Sequence, residues 1–335
     1  MRILISRTDV LGDAVVTSAF IESLVSSIDH VKIDVLCNQQ NYPAFKYNPF
    51  LANIYVLDHR QGTKELAKNY RAVISQINSS GSYDYILQLN GCIRAYQYIA
   101  KLTSGQIYAR KLITSSFKAN LWMLNKRLTG KFIFYKENTQ QHEVVRLHQF
   151  LDFFLAAITV PKRYPYPQYA KFYLEDMQLL ENRERNSIVL NVSGKKEFTR
   201  YMNDSMIYAL LKQLSSWRVK LGLVLMPDDK ERVTKVIASL GFELEVSLIM
   251  SSDINELANQ IARYEFFIGV DGGLVHIAAG LGLKCVVLFD QQDSKIWHAW
   301  TPLQRSLQSA NRNIYDISYL DVLGSLVELR DARQN

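Results

Sequence analysis

The sequence predicts an α/β protein made of two Rossmann-like domains, each a doubly wound parallel sheet, facing each other across a cleft. Three observations predict it. Apolar, strand-length runs alternate with helical segments in both halves of the chain. Two strand–turn–helix units carrying glycine and acid, Ile3–Asp13 and Phe266–Gly280, stand far apart. Between the halves, Pro161-Lys162-Arg163-Tyr164-Pro165-Tyr166-Pro167 places three prolines in seven residues, which no helix or central strand accommodates. A chain of 335 residues also exceeds what one hydrophobic core usually serves. The expected division is 1–160 for the N-terminal domain, 161–186 for the linker region and 187–335 for the C-terminal domain. The closing helix is free to pack back on the N-terminal domain.

The elements follow in order. Arg2–Ser6 reads as a strand, and a helix runs from about Asp13 to Ser27. Val31–Cys37 and Asn53–Leu57 are strands, Lys64–Gln76 a helix, Tyr83–Leu89 a strand and Arg94–Leu102 a helix. Gln106–Lys136 is less regular, and His142–Ile158 is a long amphipathic helix. In the second half, strands are expected at Ser187–Val192, Lys220–Met226, Phe266–Val270 and Lys284–Phe289. Helices are expected at Asn203–Trp217, Asp229–Leu240, Asp253–Tyr264, Leu274–Leu281 and Asp316–Arg330.

Composition is that of an ordinary globular protein, with 48% hydrophobic and 21% charged residues. No signal peptide is expected at the start, and no apolar run approaches the length of a membrane span. Cys37, Cys92 and Cys285 are odd in number and widely spaced. They read as reduced thiols of a cytoplasmic protein, with no zinc spacing. Charge is uneven. From Arg60 to Lys136 there are 13 Lys or Arg against Glu65 and Asp84, so this stretch carries +11 of a net +7 and leaves the rest at −4. Such a basic domain implies an anionic partner. No nucleic-acid module is present, so no nucleic-acid partner is expected.

Several residues carry chemistry. Asp13 follows Gly12 at the end of the first strand, where an acid is either a helix cap or a general base. Asp271, Gly272 and Gly273 form a turn before a small-residue helix; the two glycines let the backbone turn sharply and leave no side chain in a ligand's way, and the helix N-terminus suits a phosphate. The negative charge of Asp271 suits sugar hydroxyls better than phosphate. His276, one turn into that helix, is either packed or a hydrogen-bond donor to a diphosphate. In Val192-Ser193-Gly194-Lys195-Lys196, either lysine, or Arg200 beyond them, is a solvated loop charge or a cation that can meet an anion, and Ser193 can bond phosphate. Asp229 is an acid suited to a helix start. Arg146 is either an intrahelical ion pair or an anion contact.

The ordered set Arg7-Thr8-Asp9-Val10-Leu11-Gly12-Asp13, Gln141-His142-Glu143-Val144-Val145-Arg146 and Val270-Asp271-Gly272-Gly273-Leu274-Val275-His276 resembles the ADP-heptose:lipopolysaccharide heptosyltransferases, glycosyltransferase family 9. Two Rossmann-like halves joined by a proline linker are likewise the plan of the GT-B fold. The resemblance implies inverting, metal-independent transfer of a heptose from an ADP-sugar substrate to the lipopolysaccharide core, with no cofactor. It implies Asp13 as base. Donor contacts would come from Ser193, Lys195, Lys196, Asp229, Asp271, Gly272, Gly273 and His276, with Ser252 near adenine. Arg146 would hold the anionic acceptor, with the basic residues Arg60, Lys64, Arg94, Arg110 and Lys111 contributing. The protein would sit peripherally on the inner face of the bacterial inner membrane. Two departures stand out: Gly272 occupies a position usually held by Thr or Ser, and no Trp accompanies Phe198-Thr199-Arg200-Tyr201.

A dinucleotide-dependent oxidoreductase would need G-x-G-x-x-G after the first strand, where Ser6-Arg7-Thr8-Asp9-Val10-Leu11-Gly12 stands instead. The remaining alternatives are a different nucleotide-sugar donor on the same fold, and a catalytically inert nucleotide-sugar-binding protein.

Overall fold

The structure, a computed structural model, describes residues 1–57, 63–90, 93–111, 114–194 and 200–332, with backbone alone at 63–66 and 90. The chain forms two compact units, Met1–Pro167 and Gln168–Asn335.

In the first unit the order is β1 (Arg2–Arg7), α1 (Leu11–Ser27), β2 (Lys32–Asn38), β3 (Leu51–Leu57), α2 (Thr63–Ser79), β4 (Tyr85–Asn90), α3 (Ile93–Ile99), β5 (Gln106–Arg110), α4 (Phe117–Leu128), β6 (Phe132–Tyr135) and α5 (Glu143–Ala157). The strands make one parallel six-stranded sheet in the order β3-β2-β1-β4-β5-β6. Strand β1 lies at its centre, so Ile3, Leu4 and Ile5 are fully buried, as a strand covered on both faces requires. Helix α1 is buried almost all round and packs on α5, where the Phe20 and Phe150 rings lie 6.4 Å apart. On the other face Tyr70 stacks on Tyr98 at 4.1 Å.

The second unit contains β7 (Ser187–Asn191), α6 (Asp204–Leu214), β8 (Lys220–Val224), α7 (Lys230–Ala238), β9 (Val246–Ile249), α8 (Ile254–Ile261), β10 (Phe266–Val270), α9 (Gly273–Gly280), β11 (Lys284–Phe289), α10 (Ser294–Trp297), β12 (Gln304–Gln308) and α11 (Tyr319–Asp331). Its sheet is again six-stranded and parallel, in the order β12-β11-β10-β7-β8-β9. Both sheets therefore start at a central strand, wind outward one way, then return to the centre and wind the other way. The switch points lie between β1 and β4 and between β7 and β10, where open α/β sheets bind ligands beyond the carboxyl ends of their strands.

The structure resolves what the sequence left unassigned. Gln106–Lys136 holds two strands and a helix. Its strands are short, and the only side chains of α4 that are fully buried are Ala119 and Met123, so neither shows a strong apolar pattern. Strands β9 and β12 escaped the sequence because they are edge strands; β12 reads Gln-Arg-Ser-Leu-Gln and is half-buried throughout. Helix α1 opens at Leu11, two residues before Asp13. The closing helix α11 buries Val322, Leu323, Leu326 and Leu329 in the second unit's own core.

The proline run ends the first unit, and the chain after it serves the second. Phe172 N–H donates to the Gly280 carbonyl at 3.0 Å, and Arg183 donates to the carbonyls of Ala262, Leu281 and Gly282. A Cβ on Gly280 would meet the Phe172 nitrogen at 2.7 Å, so this helix end must be glycine for the strap to lie on it.

Candidate active site

In the first unit, chemistry gathers beyond the carboxyl end of β1. Arg7, its last residue, is fully buried. Its Nε lies 3.0 Å from Asp9 Oδ1 and its Nη2 3.3 Å from Asp13 Oδ1. Both Nη atoms donate to Glu143 Oε1 at 3.0 Å. Glu143 opens α5 and also accepts from Arg110 at 2.6 and 3.0 Å. Arg146, one turn on, pairs with Glu143 at 3.0 Å and with Glu137 at 2.5 Å, while Arg110 also pairs with Glu137. Four carboxylates thus share three guanidinium groups.

The carboxylates are not equivalent. Burial alone would raise Glu143, but Arg110 and Arg7 overcome it and bring its pKa down to about 2. Asp13 goes the other way. Burial raises it well above the ordinary carboxylate range, Asp9 adds to the rise, and Arg7 offsets only part. Of these two, Asp13 takes a proton the more readily. It is not a helix cap: Val10 holds that position without a side-chain bond, and Asp13 sits in the first turn. The structure also covers it closely, leaving 9% of its side chain accessible, less than the open strand-end position that the sequence suggested.

The other N-terminal expectations divide. Arg146 is the intrahelical pair the sequence allowed, extended by Glu137, and its guanidinium is held by the network. Arg110 is buried in the same network. Arg94 and Lys111 are exposed. Lys64 lies in the first turn of α2, with its side chain outside the described residues, and Arg60 lies outside them altogether.

In the second unit, the ends of β7, β8, β10 and β11 come together. Asp271 follows β10, and Asp290 follows β11. Arg200 stands 3.7 Å from Asp271 and 3.1 Å from Asp290. Burial raises Asp271 from 3.8 to about 6; Arg200 opposes the rise and Asp290 adds to it. Arg200 is placed by Gly194. A Cβ there would fall 1.6 Å from the Arg200 carbonyl oxygen, so only glycine lets the backbone at 194 and 200 come this close. Lys195 and Lys196 lie outside the described residues.

Ser193 and Asp229 face each other. The Ser193 hydroxyl donates to Asp229 at 2.5 Å and accepts from Met226 N–H at 2.9 Å, while Arg232 donates to the other Asp229 oxygen at 3.1 Å. Both residues are buried, and they tie the end of β7 to the end of β8. Ser252 is exposed in the turn before α8.

Gly272 caps α9 with no side chain, leaving the first amides of that helix without a side-chain acceptor. Its backbone is extended, so the expectation that a glycine turn is conformationally required here is corrected. A Cβ would find nothing nearer than the Val270 oxygen at 3.9 Å. Gly273 is the first helical residue. His276 is buried, and burial and then His298 lower it to about 4, which keeps it neutral at pH 7. Its Nδ1 has no hydrogen-bond partner among the described residues.

Asp290 was missed by sequence reasoning. The available signal was its place immediately after the buried run Lys284–Phe289, which puts an acid at the carboxyl edge of a parallel sheet.

The family model for glycosyltransferase family 9 (heptosyltransferase) matches residues 79–326. The chain belongs to that family. A relative, lipopolysaccharide heptosyltransferase 3 of Escherichia coli K12, is 23% identical over 305 residues, covering 87% of this chain and 83% of the relative. Among solved structures, E. coli heptosyltransferase WaaC with ADP superposes with a TM-score of 0.80 at 16% identity, over 98% of this chain and 100% of that one. The same enzyme with ADP-2-deoxy-2-fluoro heptose gives 0.78 at 16% identity, over 98% and 99%. The two units are thus the halves of a GT-B fold, and the protein is a glycosyltransferase of the heptosyltransferase type. No helix among the described residues of this family 9 chain is long and apolar enough to cross a membrane.

Proposed function

We propose that the protein transfers a heptose from ADP-heptose to a hydroxyl of the lipopolysaccharide inner core, with inversion, and that Asp13 is the general base. The observation that carries this is the division of labour around Arg7. Glu143 is held ionised and neutralises guanidinium charge, while Asp13 is pushed up towards proton uptake. A base in this role accepts the acceptor hydroxyl's proton as oxygen attacks the anomeric carbon.

The donor falls to the second unit. The uncapped amides of α9 suit the diphosphate, and His276, as a neutral imidazole, has one N–H to give it. Asp271 suits sugar hydroxyls. Lys195, Lys196 and Arg200 are the cations available to the departing ADP, and the reaction needs neither metal nor cofactor. The Asp229 carboxylate is the ribose candidate, although Ser193 and Arg232 already occupy it. ADP-bound WaaC supports an adenine nucleotide as donor. The acceptor's anionic groups match the basic stretch from Arg60 to Lys136, including Arg60 and Lys64, and a lipid-linked acceptor places the enzyme peripherally at the inner membrane surface.

The test is Asp13→Asn. It should retain a full thermal shift with ADP and lose transfer by about 10²–10⁴-fold, the usual contribution of a general base. Near-normal turnover removes Asp13 from the chemistry. A panel of ADP-, UDP- and GDP-sugars run in the same assay identifies the donor, and a shift with UDP-sugars alone overturns the ADP assignment.

A further inference from the structure

We propose that α4 is a membrane-docking helix that lays its outer face into an anionic bilayer surface. Phe117, Leu121, Leu124 and Leu128 are 78%, 54%, 50% and 77% exposed. At 100° per residue these four positions fall within an arc of about 60°, a continuous apolar stripe. The opposite face holds the helix down: Ala119 and Met123 are buried, and the Trp122 ring meets Phe132 edge-on at 5.6 Å. The helix is thus built with two apolar faces, of which its own unit covers one.

Charge identifies the occupant. Lys118 and Asn125 flank the stripe on one side and Asn120 and Arg127 on the other, all exposed. Long basic side chains beside a buried apolar stripe reach back to headgroup phosphates, which is how interfacial helices sit. From Tyr85 to Lys136 the chain contains nine Lys or Arg and no acid. Beside α4, a groove of about 450 Å³ adds Arg94, Lys101 and Lys126 with Tyr98 and Trp122. A second copy of this chain would bring the same uncompensated positive charge against the first, whereas an anionic leaflet neutralises it.

This inference deepens the membrane-surface reading above and rests on it, and its vesicle test contains neither donor nor acceptor. The full chain is sedimented with vesicles of phosphatidylethanolamine and phosphatidylglycerol, and with vesicles of phosphatidylcholine, at low and high salt. Wild type should bind the anionic vesicles and keep a salt-resistant fraction. Leu121→Gln with Leu124→Gln should weaken partition by about tenfold or more, as loss of buried apolar surface from an interfacial helix implies. Lys118→Gln with Arg127→Gln, at exposed positions, should reduce the preference for anionic lipid and leave the salt-resistant fraction. Transfer to a deacylated, water-soluble acceptor should persist in the leucine variant, which separates failure of docking from failure of the catalytic reading. Wild type that ignores anionic vesicles, or variants that bind as wild type does, overturn the proposal. So does self-association in sedimentation velocity that the leucine variant abolishes without any vesicle binding.

Discussion

Asp271 and Asp290 share one guanidinium, and the shortage falls on Asp271. With its pKa raised to about 6, the folded protein holds this proton more tightly than the unfolded chain does. That stabilisation is present at acid pH and is lost as pH rises from about 4 to about 6. Asp271→Asn should therefore raise the melting temperature at pH 7, by the equivalent of about 1–3 kcal/mol, while it removes donor binding. Glu143 has the opposite sign. Its folded pKa of about 2 lies below the ordinary 4.5, so its contribution is complete above that value and is lost as pH falls towards 2. Glu143→Gln leaves Arg7 and Arg110 buried without their shared carboxylate and should cost about 3–5 kcal/mol in urea unfolding. These distinctions were not legible in the sequence. Asp13, Asp271 and Glu143 could all be placed near strand ends or helix starts, but Glu143 acquires its role from Arg110, 33 positions away, and Asp271 from Arg200 and Asp290.

Helix α9 shows what a local pattern does and does not reveal. Its strand, turn and small residues were legible because Phe266–Val270 is uniformly apolar and Ala278, Ala279 and Gly280 pack tightly. The role of its glycines was not. Gly272 was expected for backbone freedom and proves extended with open space beside it, whereas Gly280 is fixed by the strap through Phe172. The two should respond oppositely to substitution. Gly280→Ala should destabilise by about 1–3 kcal/mol, as overpacking does. Gly272→Thr should fold normally, and the added hydroxyl should increase the thermal shift given by ADP; an unchanged or smaller shift would show that the missing hydroxyl is not what departs from the family here. Of the elements that eluded the sequence, α4, β5, β6, β9 and β12 lie in the basic stretch or at sheet edges, where apolar periodicity is weakest, and α10 is a single turn of four residues.

At the scale of the molecule, positive charge is concentrated in one stretch of the first half. The stretch from Arg60 to Lys136 holds +11 while the remainder holds −4. Turnover on a lipid-linked acceptor should consequently fall with added salt more steeply than ADP affinity does, a difference measurable by comparing the two across one salt series. The sheet topology has a separate consequence. Every strand of each sheet comes from its own half of the chain, so the peptide between Pro167 and Gln168 crosses no β ladder. A protease site engineered at that junction should yield two fragments that keep their circular dichroism after cleavage, each refolding without its sibling.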